Sequence, residues 1–209
     1  MSRDKVYAIV EGHGEADPPR RNELPAVTVL ITKLLSKFQC WTLFPYLRPW
    51  RMRSCEDFFA EGKLEDTIRA HKAFGDCAGV LVLVDLDDDC PGEKGPALAE
   101  RVRAMKDLPF SVIVVCAHRE YEAWFLASLE SIHPGHTYPD DPERKRDAKG
   151  WLAREFEYRK VRDQSSYTQA LDIDLVCARS RSFRRLYHAF EQLIEACAAR
   201  QLVITPVIQ

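Results

Sequence analysis

Three stretches of this chain are apolar without interruption: residues 6–10, 80–84 and 112–116, rich in Val and Ile. Runs of that length with no polar alternation predict strands buried on both faces of a parallel sheet, here over 5–10, 78–84 and 111–117. Between and after them the spacing changes to that of helices. A helix is predicted from Asn22 or Glu23 to about 38, with Pro25 in its first turn, where a missing N–H costs little. Others follow at 64–74, 95–106 and 120–128. Residues 40–47 read as a further strand, 11–22 as a polar loop and 50–60 as irregular. Alternating strands and helices imply right-handed crossovers and an α/β fold. After a proline-rich loop at 134–142 come a charged helix near 143–157, a polar linker over 159–172 and a helix over 182–200. Residues 202–205 are a candidate last strand. The division expected is an α/β core over 1–130, with 131–209 a mostly helical C-terminal extension packed on it.

Each apolar run ends in acids. Glu11 and Glu15 follow the first, Asp85, Asp87, Asp88 and Asp89 the second, and Glu120 and Glu122 the third. The carboxyl ends of parallel strands share one edge of the sheet, the edge at which ligands usually bind. Carboxylates gathered there repel one another unless a cation sits among them, and an all-oxygen donor set suits Mg²⁺ or Mn²⁺. Asp85, Asp87 and Asp89 project to one side of an extended turn, because side chains alternate with a period of two. Glu11, before two glycines, is placed to bind a metal or to act as a general acid–base. Glu120 and Glu122 open a helix, where a carboxylate also serves as a simple partner of the helix dipole. A solvated acidic loop is the plain alternative for 85–89, and both readings stay open.

The bases come later. Residues 1–140 carry 17 basic and 22 acidic side chains, whereas residues 141–209 carry 13 and 10, so an acidic edge faces a more basic second part. Lys149, after Arg144-Lys145-Arg146, is a candidate to reach the carboxylates and neutralise a phosphate in a transition state. Arg179, Arg181, Arg184 and Arg185 are candidates to track a phosphate backbone, with a solvated helix face as the alternative. Trp41, Phe44, Tyr46, Trp50, Trp124 and Phe125 read as core. His133, His136, Cys116 and His118 match no usual zinc spacing. No apolar run approaches the ~20 residues of a membrane span. The seven cysteines are scattered with no Cys-x-x-Cys pair, which predicts reduced thiols and, with no secretory leader ahead of the first strand, a cytoplasmic protein.

Val10-Glu11-Gly12 after a strand, followed about seventy residues on by strand-Asp85-Leu86-Asp87, resembles the Toprim domain of topoisomerases, primases and the overcoming-lysogenisation-defect nucleases. Three further segments are similar to a bacterial Toprim-like family known only as a domain of unknown function. They are His118-Arg119-Glu120-Tyr121-Glu122-Ala123-Trp124-Phe125, Ala148-Lys149-Gly150-Trp151-Leu152, and Ser182-Phe183 before the last helix; the inserted Arg119 departs from the family pattern. The resemblance spans nearly the whole chain. It implies a Toprim-like fold and a Mg²⁺- or Mn²⁺-dependent nuclease in a defence system with a partner ATPase of AAA or ABC type. Catalytic roles would then fall to Glu11, Asp85, Asp87 and Lys149, and metal ligation to Glu11, Glu15, Asp85, Asp87, Asp89, Glu120 and Glu122. The chain has no nucleotide-binding loop of its own, so a non-catalytic metal-binding or regulatory subunit of an ATPase complex is a second expectation. A small-molecule phosphohydrolase is a third.

Overall fold

The structure is a computed structural model that describes residues 3–206. Its centre is a parallel sheet of six strands: β1 (Lys5–Val10), β2 (Phe44–Pro45), β3 (Trp50–Arg51), β4 (Cys77–Asp85), β5 (Ser111–Ala117) and β6 (Ile204–Thr205). The order across the sheet is β2-β1-β4-β5-β6, with β3 also paired to β1. The three apolar runs form the three central strands. Their lack of alternation has its cause in helices that cover both faces, so neither face of a strand meets water.

Helices α1 (His13–Ala16) and α2 (Ala26–Lys37) follow β1, α3 (Cys55–Phe59) and α4 (Lys63–Ala70) lead into β4, and α5 (Pro91–Arg103) joins β4 to β5. Then come α6 (Glu122–Ala127), α7 (Leu129–Ile132), α8 (Ala148–Phe156), α9 (Lys160–Ala170), α10 (Ile173–Arg179) and α11 (Arg181–Ala198). One face of the sheet is covered by α2, α6 and α11 through Leu30, Leu34, Trp124, Phe125, Phe183 and Phe190. The other is covered by α3, α4 and α5 through Phe58, Leu64, Ile68, Leu98 and Val102. Phe183 and Phe190 are fully buried, which contributes about 1.5–3 kcal/mol each. A single apolar cluster runs from Val6 of β1 to Leu193 of α11, so residues before and after 130 share one core.

Several local expectations are corrected. The strand expected over 40–47 shrinks to Phe44–Pro45, because Pro45 and Pro49 remove the N–H donors that a longer strand would use. Part of the supposed polar loop is the short helix α1. The supposed linker 159–172 is the eleven-residue helix α9. Its packing face carries Gln164, Ser165 and Thr168, all buried, so the apolar period that betrays a surface helix is missing. The aromatics divide: Trp124 and Phe125 are core residues, whereas Trp41, Phe44 and Trp50 are exposed on the outer edge beside β1.

Candidate functional site

The carboxyl ends of β1, β4 and β5 open into one crevice. β1 hands over to Glu11 and the turn of α1, which carries Glu15. Gly12 and Gly14 make that turn possible through space: a Cβ on Gly12 would collide with Glu15 Oε2, and one on Gly14 with Gln164 Oε1. Asp85 is the last residue of β4, level with Ala117 of β5. The loops after β4 and β5 clasp each other through the backbone N–H of Asp87, which donates to the Arg119 carbonyl at 3.0 Å. Both residues sit in the left-handed region, at φ 45° and 69°. That clasp brings Tyr121 N–H onto Asp85 Oδ1 at 3.0 Å and sets Glu122 at the start of α6.

Lys160, the first residue of α9, enters this ring of acids. Its ammonium lies 2.9 Å from Glu15 Oε1 and 4.0 Å from Asp85 Oδ2. A lysine at the positive end of a helix is poorly placed for the dipole, and carboxylates hold it there. Burial works to lower its pKa; Glu122, Glu15 and Asp85 outweigh burial and raise it, so the ammonium stays charged. Gln164, one turn further along α9, donates to Glu15 Oε1 at 2.7 Å. Tyr158 O–H donates to Glu122 Oε1 at 3.0 Å. Tyr121 O–H donates to Thr168 Oγ, 3.0 Å away, whose own hydroxyl donates to the Gln164 carbonyl.

The acids are not equally easy to ionise. Burial, then the charges of Glu15 and its neighbours, raises Asp85 well above the usual carboxylate range against the pull of Lys160. Burial also raises Glu11, with Asp87 and Glu15 adding to it. Glu122 is pushed up to about 7, by burial first and by Glu15 and Glu120 after it. Glu11 Oε2, Glu15 Oε2 and Gln164 Oε1 are buried with no hydrogen-bond partner. These orphaned acceptors mark where a cation or a proton donor would be welcomed.

Glu11, Glu15, Asp85 and Glu122 thus meet around Lys160. Glu120 lies at the rim, accepting from the Lys149 backbone N–H at 3.0 Å. Asp87 and Asp89 are exposed. Asp87 still raises Glu11 electrostatically, whereas Asp89 pairs with Lys94 at 3.3 Å. Asp88 pairs with Arg119 and Arg146. The side chain of Lys149 is exposed, and the lysine inside the crevice is Lys160. Arg179 is occupied by Glu130 at 2.7 Å, and Arg184 donates to the Cys177 carbonyl at 2.6 Å. Arg181 and Arg185 are exposed in the first turns of α11. Lys160 and Gln164 escaped the sequence reading because their helix has no apolar stripe, and Tyr158 because it sits in the connection just before that helix. The misplaced positive charge at its start is the one signal that pointed to it.

The donors are all oxygen, and the two unpartnered carboxylate oxygens fit a hard cation. Among the described residues, no three His, Cys, Asp or Glu side chains are grouped so as to hold a metal ion, and Lys160 already supplies one positive charge. Among the described residues, no helix is long and apolar enough to cross a membrane. A family model described as a domain of unknown function (DUF4276) matches residues 23–191, a span that includes Asp85, Glu122 and Lys160 but starts after Glu11 and Glu15. No curated protein and no solved structure matches the chain.

Proposed function

The chain belongs to the family described as a domain of unknown function (DUF4276), and on that premise we propose that its acidic crevice hydrolyses phosphodiester bonds of nucleic acid with Mg²⁺ or Mn²⁺. One observation carries this reading. Acids from three separate strand ends converge on a half-buried lysine, and carboxylate oxygens of Glu11 and Glu15 are left without partners. The Toprim likeness of Val10-Glu11-Gly12 and Asp85-Leu86-Asp87 supports the same chemistry, and the parallel sheet supplies the edge on which it would run.

Glu11, Glu15 and Asp85 are the residues that would hold the ion, with Glu122 behind them. Bound there, a divalent cation would supply Lewis-acid polarisation of a phosphoryl oxygen. Lys160 does part of that work itself, since its ammonium is fixed where an anionic phosphate would enter. Glu122, with a pKa of about 7, can take or give a proton near neutral pH, which suits a general acid–base. The Tyr158 hydroxyl keeps its carboxyl oriented.

The test is incubation of the purified protein with supercoiled DNA, linear DNA and RNA, with and without Mg²⁺ or Mn²⁺. Metal-dependent cleavage lost in Asp85→Ala and in Lys160→Met is expected, and calorimetry should show Mn²⁺ binding that Asp85→Ala weakens. Cleavage that survives Asp85→Ala, or no cleavage of any substrate, overturns the reading. A second reading is favoured by Lys160 already neutralising part of the crevice: a non-catalytic subunit that docks a partner ATPase. It predicts co-purification with that ATPase and full function of the complex when Asp85 is replaced.

A further inference from the structure

The outer edge of the sheet, beside β1, has a composition unlike the rest of the chain. Residues 24–55 contain no Asp or Glu. Within them residues 41–53 carry Trp41, Phe44, Tyr46 and Trp50, interleaved with Arg48, Arg51 and Arg53. Trp41 is 70% exposed, Phe44 46% and Trp50 47%. Large rings at that exposure, on a segment with only positive side chains, call for a partner.

The rings form a surface rather than a scatter. Tyr46 stacks on Tyr7 at 4.2 Å, and Tyr7 in turn on Phe74 at 5.0 Å. Trp50 leans on His71 at 5.9 Å. Lys5 holds its ammonium 5.0 Å from the centre of the Phe44 ring. Arg48, Trp50 and Arg51 line an open groove of about 480 Å³ over Tyr7 and Tyr46. The surface follows β1 along its length, from Lys5 opposite Phe44 to Val10 opposite Arg51, a run of about 17 Å. It ends at the acidic crevice. Glu11 is the residue after Val10, and the Arg51 guanidinium reaches His13, the neighbour of the Gly12 turn.

Charge and shape decide what fits. A strand of a second copy needs a row of free N–H and C=O groups, and β2 and β3 offer two residues each, with Pro45 within β2 and Pro49 just before β3. An acidic peptide satisfies the arginines but has no use for flat exposed rings. A nucleic acid strand with unpaired bases satisfies both, since phosphates meet arginine while bases stack on aromatic faces. We propose that this surface, the groove together with the exposed rings and Arg53 beside it, binds single-stranded nucleic acid, with bases on the rings and phosphates on Arg48, Arg51 and Arg53, and leads the strand toward the carboxylates. The inference rests on the hydrolytic reading for its purpose, and the binding it predicts is measurable without hydrolysis.

Fluorescence anisotropy of a labelled oligonucleotide in EDTA separates the two. The single strand should bind at least tenfold more tightly than the duplex of the same sequence. The slope of log affinity against log salt should be about −2, the value for three phosphate contacts on a single strand. Trp50→Ala should weaken binding roughly tenfold, and Arg48→Ala should flatten the salt slope by about 0.7. These side chains are exposed, so melting temperatures should not move; Trp41→Ala repeats the test if Trp50→Ala melts early. No binding, preference for duplex, affinity unchanged in both tryptophan variants, or binding to anionic lipid vesicles alone overturns the inference. Binding that persists in a protein with no hydrolytic activity leaves this groove standing and removes the hydrolytic reading. Cleavage of single strands with unchanged KM in Trp50→Ala and Arg48→Ala does the reverse.

Discussion

Two buried glutamates on neighbouring elements have opposite acidities. Glu143, in the 3-10 turn Pro142–Arg144, is 5% exposed, and Glu122, at the start of α6, is 1% exposed. Burial alone would raise both. At Glu143 it is outweighed: Ser180 O–H and Ser182 N–H both donate to Oε1 at 2.7 Å, and the carboxylate is held below its ordinary value. Glu122 has one donor on its side chain, Tyr158, and other acids close by, and it rises to about 7. Burial raises both carboxylates, and the supply of donors decides whether that rise is outweighed, as at Glu143, or stands, as at Glu122.

The comparison can be broken most sharply at Lys160. Lys160→Met removes the ammonium from among Glu15, Asp85 and Glu122, and should cost about 3–5 kcal/mol in denaturant unfolding at pH 8. The raised pKa of Lys160 means its contribution is fully present below the unfolded value of 10.5. The loss should shrink as acid protonates the carboxylates it faced. Added Mn²⁺ should raise the melting temperature of this variant more than that of the parent if the crevice takes a cation.

Glu143→Ala comes next, at about 3 kcal/mol, because it strands buried donors. The folded pKa of Glu143 is depressed, so its stabilisation exists above the unfolded value of 4.5 and fades as the pH falls through the folded one. The deficit of the variant should therefore be large at pH 7 and small in strong acid. A flat deficit across that range would mean that Ser180 and Ser182 find other partners.

Glu122→Gln should do the opposite and stabilise, by about 3 kcal/mol at pH 8. The native carboxyl holds its proton up to about pH 7, whereas the unfolded one releases it near 4.5. Stability of the parent is thus lost as pH rises through that window, and the glutamine should remove the loss, with no gain at pH 4. No gain at pH 8 would place Glu122 with Glu143.

Much of the fold was legible in the residues. The unbroken runs at β1, β4 and β5 declared a covered parallel sheet, and the acids that follow them declared the edge where Glu11, Asp85 and Glu122 meet. The last helix announced itself by the period of Phe183, Leu186, Phe190 and Leu193, all buried. What stayed hidden was polar. Helix α9 packs through Gln164, Ser165 and Thr168, and polar residues packing inward leave the pattern of a loop. Lys160, the counter-charge of the site, was hidden with it. The exposed rings at 41–50 misled for the converse reason: aromatic residues signal burial by default, and only the two-residue strands show that nothing covers them.

The ammonium of Lys160 follows the acids it joins in the chain, Glu122 and Asp85 at a moderate distance and Glu15 near the opposite end. Synthesis proceeds from the amino end, so the acidic pocket emerges from the ribosome well before the group that balances it. Strand β6, which completes the sheet beside β5, comes later still. A nascent chain halted near residue 150 would carry every carboxylate of the pocket without the ammonium that joins them. The balance of charge in this pocket is therefore set only after Lys160 has joined the chain.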